Sequence, residues 1–190
     1  MKLFYLIIFL LIYNNSFALN IGSNTGYELP RYVSVKSNES NVRVGPSKNY
    51  PILIKYIKEN FPLKVIEEYK DWRKVSDFQN NEGWIHKSLI KGERTGIIVS
   101  KNQENIYIFN TVGGKIIGEI STGSIINLSK CKTNWCLITK DKKKGWIPKD
   151  NIWGVKEFEV FNISYFQIII DYYNLSLAVL EFYIFSWLGR

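Results

Sequence analysis

One internal duplication constrains this chain more than any other feature: the same ordered set of short motifs appears twice between about residue 31 and residue 155. Asn41-Val42-Arg43-Val44 returns as Asn105-Ile106-Tyr107-Ile108, and Lys55-Tyr56-Ile57 as Gly118-Glu119-Ile120. Asp71-Trp72-Arg73-Lys74-Val75 returns as Asn134-Trp135-Cys136-Leu137-Ile138. Gly83-Trp84-Ile85 returns as Gly145-Trp146-Ile147. Two copies are too few for a solenoid, in which each repeat relies on its neighbours, so each copy is expected to fold as a domain.

Within each copy the local signals are those of strands. Val33 and Val35, then Val42 and Val44, alternate with polar neighbours, the period of a half-buried strand. Leu63-Lys64-Val65 opens another extended run, with residues 125–128 as its counterpart. Gly45-Pro46-Ser47, residues 77–83, Val112-Gly113-Gly114 and residues 141–145 supply turn formers between the runs. Many short strands at close spacing predict a small barrel or sandwich. A unit near sixty residues buries little apolar surface. Trp72 and Trp84 in one copy, and Trp135 and Trp146 in the other, are therefore expected to be large core contributors.

These residues also carry a family resemblance. Asn41-Val42-Arg43-Val44-Gly45-Pro46-Ser47, then Trp72-Arg73-Lys74-Val75, then Gly83-Trp84-Ile85-His86, resemble the ordered signature of bacterial SH3 (SH3b) domains. The second copy lacks the Arg-x-Gly-Pro turn but keeps Trp135, Gly145-Trp146-Ile147-Pro148 and Trp153-Gly154. The resemblance covers roughly residues 31–154 and implies an all-β fold of two consecutive SH3-like small β-barrels. The expected division is 31–93 and 94–155, preceded by a linker at 19–30. It does not imply one activity: some relatives bind cell-wall peptides beside a hydrolase. Tandem copies behind a signal peptide are similar to small exported proteins common in α-proteobacteria.

The two ends of the chain bear on location. Met1-Lys2 is a short positive start, residues 3–13 are apolar, and Ser16-Phe17-Ala18 is a small-x-small cleavage pattern. Together they predict a signal peptide over 1–18 and an exported protein of the periplasm or cell envelope; an uncleaved anchor is the alternative. Residues 156–190 are strongly apolar. Ile163, Phe166, Ile170, Tyr173, Leu177, Leu180, Ile184 and Trp187 follow three-four spacing, which predicts a helical tail. Its large apolar residues favour a bilayer by roughly 0.3 to 0.6 kcal/mol each, but Asp171 and Glu181 each cost about 2.5 to 3.5 kcal/mol near the centre. Insertion is thus marginal, and membrane contact through 161–188 stays beside an interfacial or partner-docked helix. The formal net charge of +8 suits anionic envelope partners, although the lysines are scattered. Export excludes nucleic acid as the expected partner.

Candidate site residues follow from the copies. If the barrels bind peptides as eukaryotic SH3 domains do, Trp72 and Trp135 line the groove, with Trp84 and Trp146 nearby. Pro148 matches a groove proline, and His86 replaces it in the first copy; the groove tyrosine becomes Leu89 and Asn151. His86 is the single histidine. It has no metal-ligand partners in sequence and no evident nucleophile, so it reads as groove-edge packing or a pH-sensitive contact. Cys131 and Cys136 flank four residues. In an oxidising compartment they are expected to pair across a hairpin. The gain is about 2 kcal/mol for so short a loop. Gly113-Gly114-Lys115 lacks the spacing of a phosphate loop. No catalytic constellation, metal site or cofactor is expected.

The expected function is an exported, non-enzymatic binding or scaffold module for peptidoglycan or an envelope protein. A membrane-tethered scaffold held by the tail, and a non-catalytic accessory of a cell-wall hydrolase, are the alternatives.

Overall fold

The computed structural model describes residues 20–100 and 105–163. The predicted signal peptide and residues 164–190 of the predicted helical tail lie outside the described residues. Among the described residues, fourteen strands form two sheets. The first sheet comprises β1 (Arg31–Val35), β2 (Ser40–Arg43), β3 (Ile52–Tyr56), β4 (Pro62–Tyr69), β5 (Trp72–Ser76), β6 (Glu82–His86) and β7 (Ile90–Lys91). The second comprises β8 (Thr95–Ile98), β9 (Ile106–Phe109), β10 (Ile116–Ile120), β11 (Ile125–Cys131), β12 (Trp135–Lys140), β13 (Lys143–Pro148) and β14 (Ile152–Trp153). Their orders, β3-β2-β6-β5-β4-β1-β7 and β10-β9-β13-β12-β11-β8-β14, match position by position. Each sheet has a short 3-10 turn before its last strand, Lys87–Leu89 and Lys149–Asn151. We call the two halves unit 1 and unit 2.

Alternation decides which side chains face inward. In β5 the buried residues are Arg73 and Val75, joined by Ser76 at the strand's end, and in β6 they are Gly83 and Ile85. Val33, Val35, Val42, Leu63, Val65, Val75 and Ile85 converge on one core in unit 1. Ile98, Ile126, Leu128, Ile138 and Ile147 do the same in unit 2. Six different strands feed the core of unit 1, so its sheet is rolled about that core. Gly83 and Gly145 sit where the roll is tightest. A Cβ on Gly83 would stand 2.5 Å from Val42 Cγ1, and one on Gly145 would stand 2.2 Å from Ile108 Cγ2.

Two expectations are corrected here. The tryptophans are not core residues. Both cores are mainly aliphatic, with Tyr56 added in unit 1 and Cys131 and Cys136 in unit 2, and Trp72, Trp84, Trp135 and Trp146 are half-buried on the outer face. They share strands with inward valines and isoleucines at odd spacing, so the pleat turns them outward. The repeat alignment also shifts. Arg43 pairs with Trp84, as Phe109 pairs with Trp146, so Val42 corresponds to Ile108 and Asn41 to Tyr107. The slip is two residues, which preserves the face of every side chain and leaves the apolar pattern unchanged. Tyr56 corresponds to Ile120, since each pairs with the first residue of the neighbouring strand.

The flanking segments are not spacers. Residues 20–30 fold against the end of unit 1, and residues 156–163 fold against the end of unit 2 without helical structure. Phe161 exchanges both backbone hydrogen bonds with Cys131, at 3.1 and 3.2 Å. Between the units, Tyr32 meets Trp153 edge-on at 5.3 Å. Lys156 also pairs with Glu28 at 3.2 Å.

Candidate functional site

Trp72 opens β5 and His86 closes β6, and the two are cross-strand partners. Their rings meet edge to face at 5.4 Å. Trp72 stands between two depressions. One, of about 420 Å³, is walled by Pro46, Ser47, Tyr50, Tyr69 and the turn residues Lys70 and Asp71. The other, of about 240 Å³, is lined by Asn41, Arg43, Lys48, His86, Ser88 and Leu89. The turn Gly45-Pro46-Ser47 lays Tyr50 across its own glycine: a Cβ on Gly45 would come 2.7 Å from the Tyr50 ring. Arg43 fixes the loop by donating from Nη1 to the Tyr50 carbonyl at 2.6 Å.

His86 is held by its own turn. Its Nδ1 lies 2.7 Å from Ser88 Oγ and accepts from the Ser88 backbone N–H at 3.3 Å. That geometry is an N-cap of the 3-10 turn. Beside it, Lys87 pairs with Asp71 at 2.8 Å, which holds the Asp71 carboxyl below the usual range. Leu89 lines the second depression, where the resemblance leads one to expect a tyrosine. Trp84 lies beside Lys74 and Arg43 and does not line either depression. Tyr50 and Tyr69 were missed in the sequence. Both flank turns, a position that marks groove walls only once the turns are known to converge.

In unit 2, Trp135 and Pro148 are cross-strand partners, as Trp72 and His86 are. The flanking position differs: Phe109 replaces Arg43 and stands edge-on to Trp135 at 5.2 Å. Trp146 pairs with Phe109 and Leu137 across the sheet.

Cys131 and Cys136 are register partners and are joined by a disulfide. Their counterparts in unit 1 are Glu68 and Arg73, also register partners one residue inside the turn. Glu68 has no exposed side-chain surface. Its carboxylate accepts from Arg31 Nη2 at 2.6 Å, Thr25 Oγ1 at 2.7 Å, and the backbone N–H groups of Asn24 and Thr25 at 2.9 Å each. Arg73 Nε stands 3.4 Å away. Burial alone would raise the Glu68 carboxyl, but those donors outweigh it and hold it at about 2. The position taken by a covalent bond in unit 2 is thus taken by a buried charge network in unit 1.

Among the described residues, no group of three or more His, Cys, Asp or Glu side chains could hold a metal ion. No described helix is long and apolar enough to cross a membrane.

Two rolled sheets of one strand order, each with a tryptophan at the head of the same strand, define a tandem small-β module. The chain belongs to the bacterial SH3 domain family, whose model matches residues 36–92 and 100–154. Similar solved structures include NlpC2 from Trichomonas vaginalis, at 12% identity over 67% of this chain and 49% of that one, with a TM-score of 0.30. NlpC1 from the same organism is 14% identical over 71% of this chain and 49% of that one, with a TM-score of 0.29. An NlpC/P60 family protein from Bacillus cereus is 13% identical over 64% of this chain and 55% of that one, with a TM-score of 0.28. This chain spans about half the length of those structures. No curated protein matches it.

Proposed function

We propose that the protein is an exported envelope binding module, and that the Trp72 groove of unit 1 holds an extended peptide. The peptide is either the stem of peptidoglycan or an exposed segment of an envelope protein. The observation that carries this reading is the half-buried Trp72 with a depression on each side. A flat aromatic with apolar body and open flanks is the usual anchor of peptide recognition. Arg43, Lys48 and Lys70 give the rim a basic character, matched to an anionic wall polymer. The family resemblance adds that some relatives bind cell-wall peptides. A disulfide at Cys131–Cys136 suits an oxidising compartment, in keeping with the predicted signal peptide.

The reading is of a binder and not an enzyme, because the one histidine near the groove is used as a turn cap. Co-sedimentation with purified sacculi and pull-down from an envelope fraction test it together. Wild-type protein is expected to be retained by one of the two, and Trp72→Ala to lower retention at least tenfold. Absence of retention in both assays, or full retention by the variant, overturns the proposal. Cell fractionation checks the location: a cytoplasmic protein retaining residues 1–18 would exclude export.

A further inference from the structure

The two units differ most at the end of the roll away from the tryptophan grooves. In unit 1 that end is plugged by rings. Tyr56 packs on Phe61 with centroids 4.7 Å apart, and Phe61 on Phe78 at 6.2 Å. The Tyr56 hydroxyl is held by Asp77 Oδ2 at 3.1 Å. Burial, together with the Asp77 carboxylate, pushes that phenol well above its ordinary value. The plug also faces unit 2, since Phe61 and Phe78 share a hollow with Ile97 and Ile125.

In unit 2 the register assigns Ile120 to the Tyr56 position and Gly118 to that of Ile54. Ser124 stands where Phe61 does: each accepts, at its carbonyl, the backbone N–H of the last residue of the first strand, Ile98 or Val35. The rings have been removed without replacement, and a pocket of about 390 Å³ occupies their place. Ile108, Ile117, Ile120 and Ile138 give it an apolar floor and wall. That volume is within the range of small-molecule sites.

The rim is reversed in charge. The strand pairings align Lys140 with Asp77, Lys143 with Asn81 and Lys144 with Glu82. All three lysines line the pocket. Asp141 and Lys142 both take positive φ, 48° and 65°. They form a tight two-residue turn that sets Lys140 opposite Lys143. The two acidic residues at the pocket are partly engaged: Asp141 lies 3.9 Å from Lys140, and Glu119 accepts from Asn105 at 3.3 Å. Lys143 and Lys144 are exposed and have no ion-pair partner among the described residues.

We propose that this pocket of unit 2 is a binding site for a small amphipathic anion, an aliphatic chain ending in a carboxylate or phosphate. The chain lies on the isoleucine floor and the head group meets Lys140, Lys143 and Lys144. Neither half suffices alone. Exposed lysines hold a free anion weakly against water, and an open apolar floor has no means of choosing an anionic end. The site is separate from the Trp72 groove, so its failure leaves the peptide-binding reading untouched.

The test is a titration of the full chain followed by amide NMR shifts, with octanoate, octyl phosphate, octylammonium and acetate as probes. Octanoate, octyl phosphate or both are expected to shift resonances of residues 117–121 and 138–145, and the stronger of the two names the head group. Acetate and octylammonium are expected to bind at least tenfold more weakly. Lys143→Ala with Lys144→Ala, two exposed sites that leave the fold intact, is expected to weaken the anion at least tenfold. Ile120→Tyr with Lys140→Asp, which restores the Tyr56–Asp77 pair of unit 1 inside the pocket and removes one rim lysine, is expected to abolish binding. Equal affinity for octylammonium, shifts centred on unit 1, or no saturable shift from either anion would each overturn the proposal. Unchanged affinity in the double lysine variant would overturn it as well.

Discussion

Unit 1 and unit 2 have the same strand order and the same inward alternation, yet each solves the closing of its β-hairpin end differently. At one pair of register positions, unit 1 uses a buried carboxylate shared by Arg31, Arg73 and the N-terminal segment. Unit 2 uses a disulfide, with Phe161 of the C-terminal segment bridged to Cys131. The substitutions around the site follow from that choice. Arg31 corresponds to Arg94, and with no Glu at position 131 the second arginine turns to Glu159 of its own arm and to the Gly154 carbonyl at 3.0 Å. Lys87 is an exposed partner of Asp71. Its counterpart Lys149 is buried beneath the arm, donating to the carbonyls of Glu157 and Glu159 at 3.1 and 2.9 Å. Burial lowers the Lys149 pKa, opposed by Glu159 and Asp150. The lesson is that an SH3 sheet fixes where a clasp is needed and leaves its chemistry free.

The comparison breaks most severely at Glu68. Glu68→Ala leaves Arg31 and Arg73 without their buried anion, and about 3–5 kcal/mol of unit 1 stability is expected to be lost. Hydrogen exchange of the unit 1 amides reads this, with unit 2 little changed; a loss below about 1 kcal/mol would show the network to be no more than a surface pair. Acid gives a milder form of the same damage. The folded Glu68 carboxyl lies at about 2, against 4.5 for the free group. Its contribution is therefore whole above pH 4.5 and lost as the pH falls through about 2. Unit 1 amides are expected to open over that window, and Glu68→Gln to remove the dependence. Glu159 is also held low by Arg94, against burial, with the same sign in unit 2. Only a unit-resolved readout separates the two.

Next in size is the disulfide. Reduction, or Cys131→Ser with Cys136→Ser, is expected to cost unit 2 about 2 kcal/mol in denaturant melts and to leave unit 1 amides unchanged. Equal losses in both units would mean that they unfold as one. The smallest effect concerns their contact. Tyr32→Ala removes the edge-on partner of Trp153 and is expected to cost about 0.5–1.5 kcal/mol. It should separate two superposed unfolding transitions.

Much of this was legible in the sequence, and the failures have a common cause. The duplicated motifs and two-residue alternation give the sheets, because pleat and pattern share a period. The cysteines were legible because one residue type names its own partner. Glu68 and Arg73 were not, since a charged pair in a strand reads as a solvated face until the segment at residues 20–30 is seen covering it. The tryptophans misled because size suggests the core, whereas position parity put them outside. The pocket of unit 2 was hidden by the register of β3 and β10. Aligning Tyr56 with Glu119 in place of Ile120 conceals the loss of a ring.

The two clasps also mature on different schedules. A carboxylate and a guanidinium pair as soon as the chain brings them together, in any redox surroundings. Two thiols wait for an electron acceptor. The amino-terminal half can therefore reach its final form at once, while completion of the carboxyl-terminal half is gated by oxidation. Pulse-labelling of thiols during refolding would display that order directly.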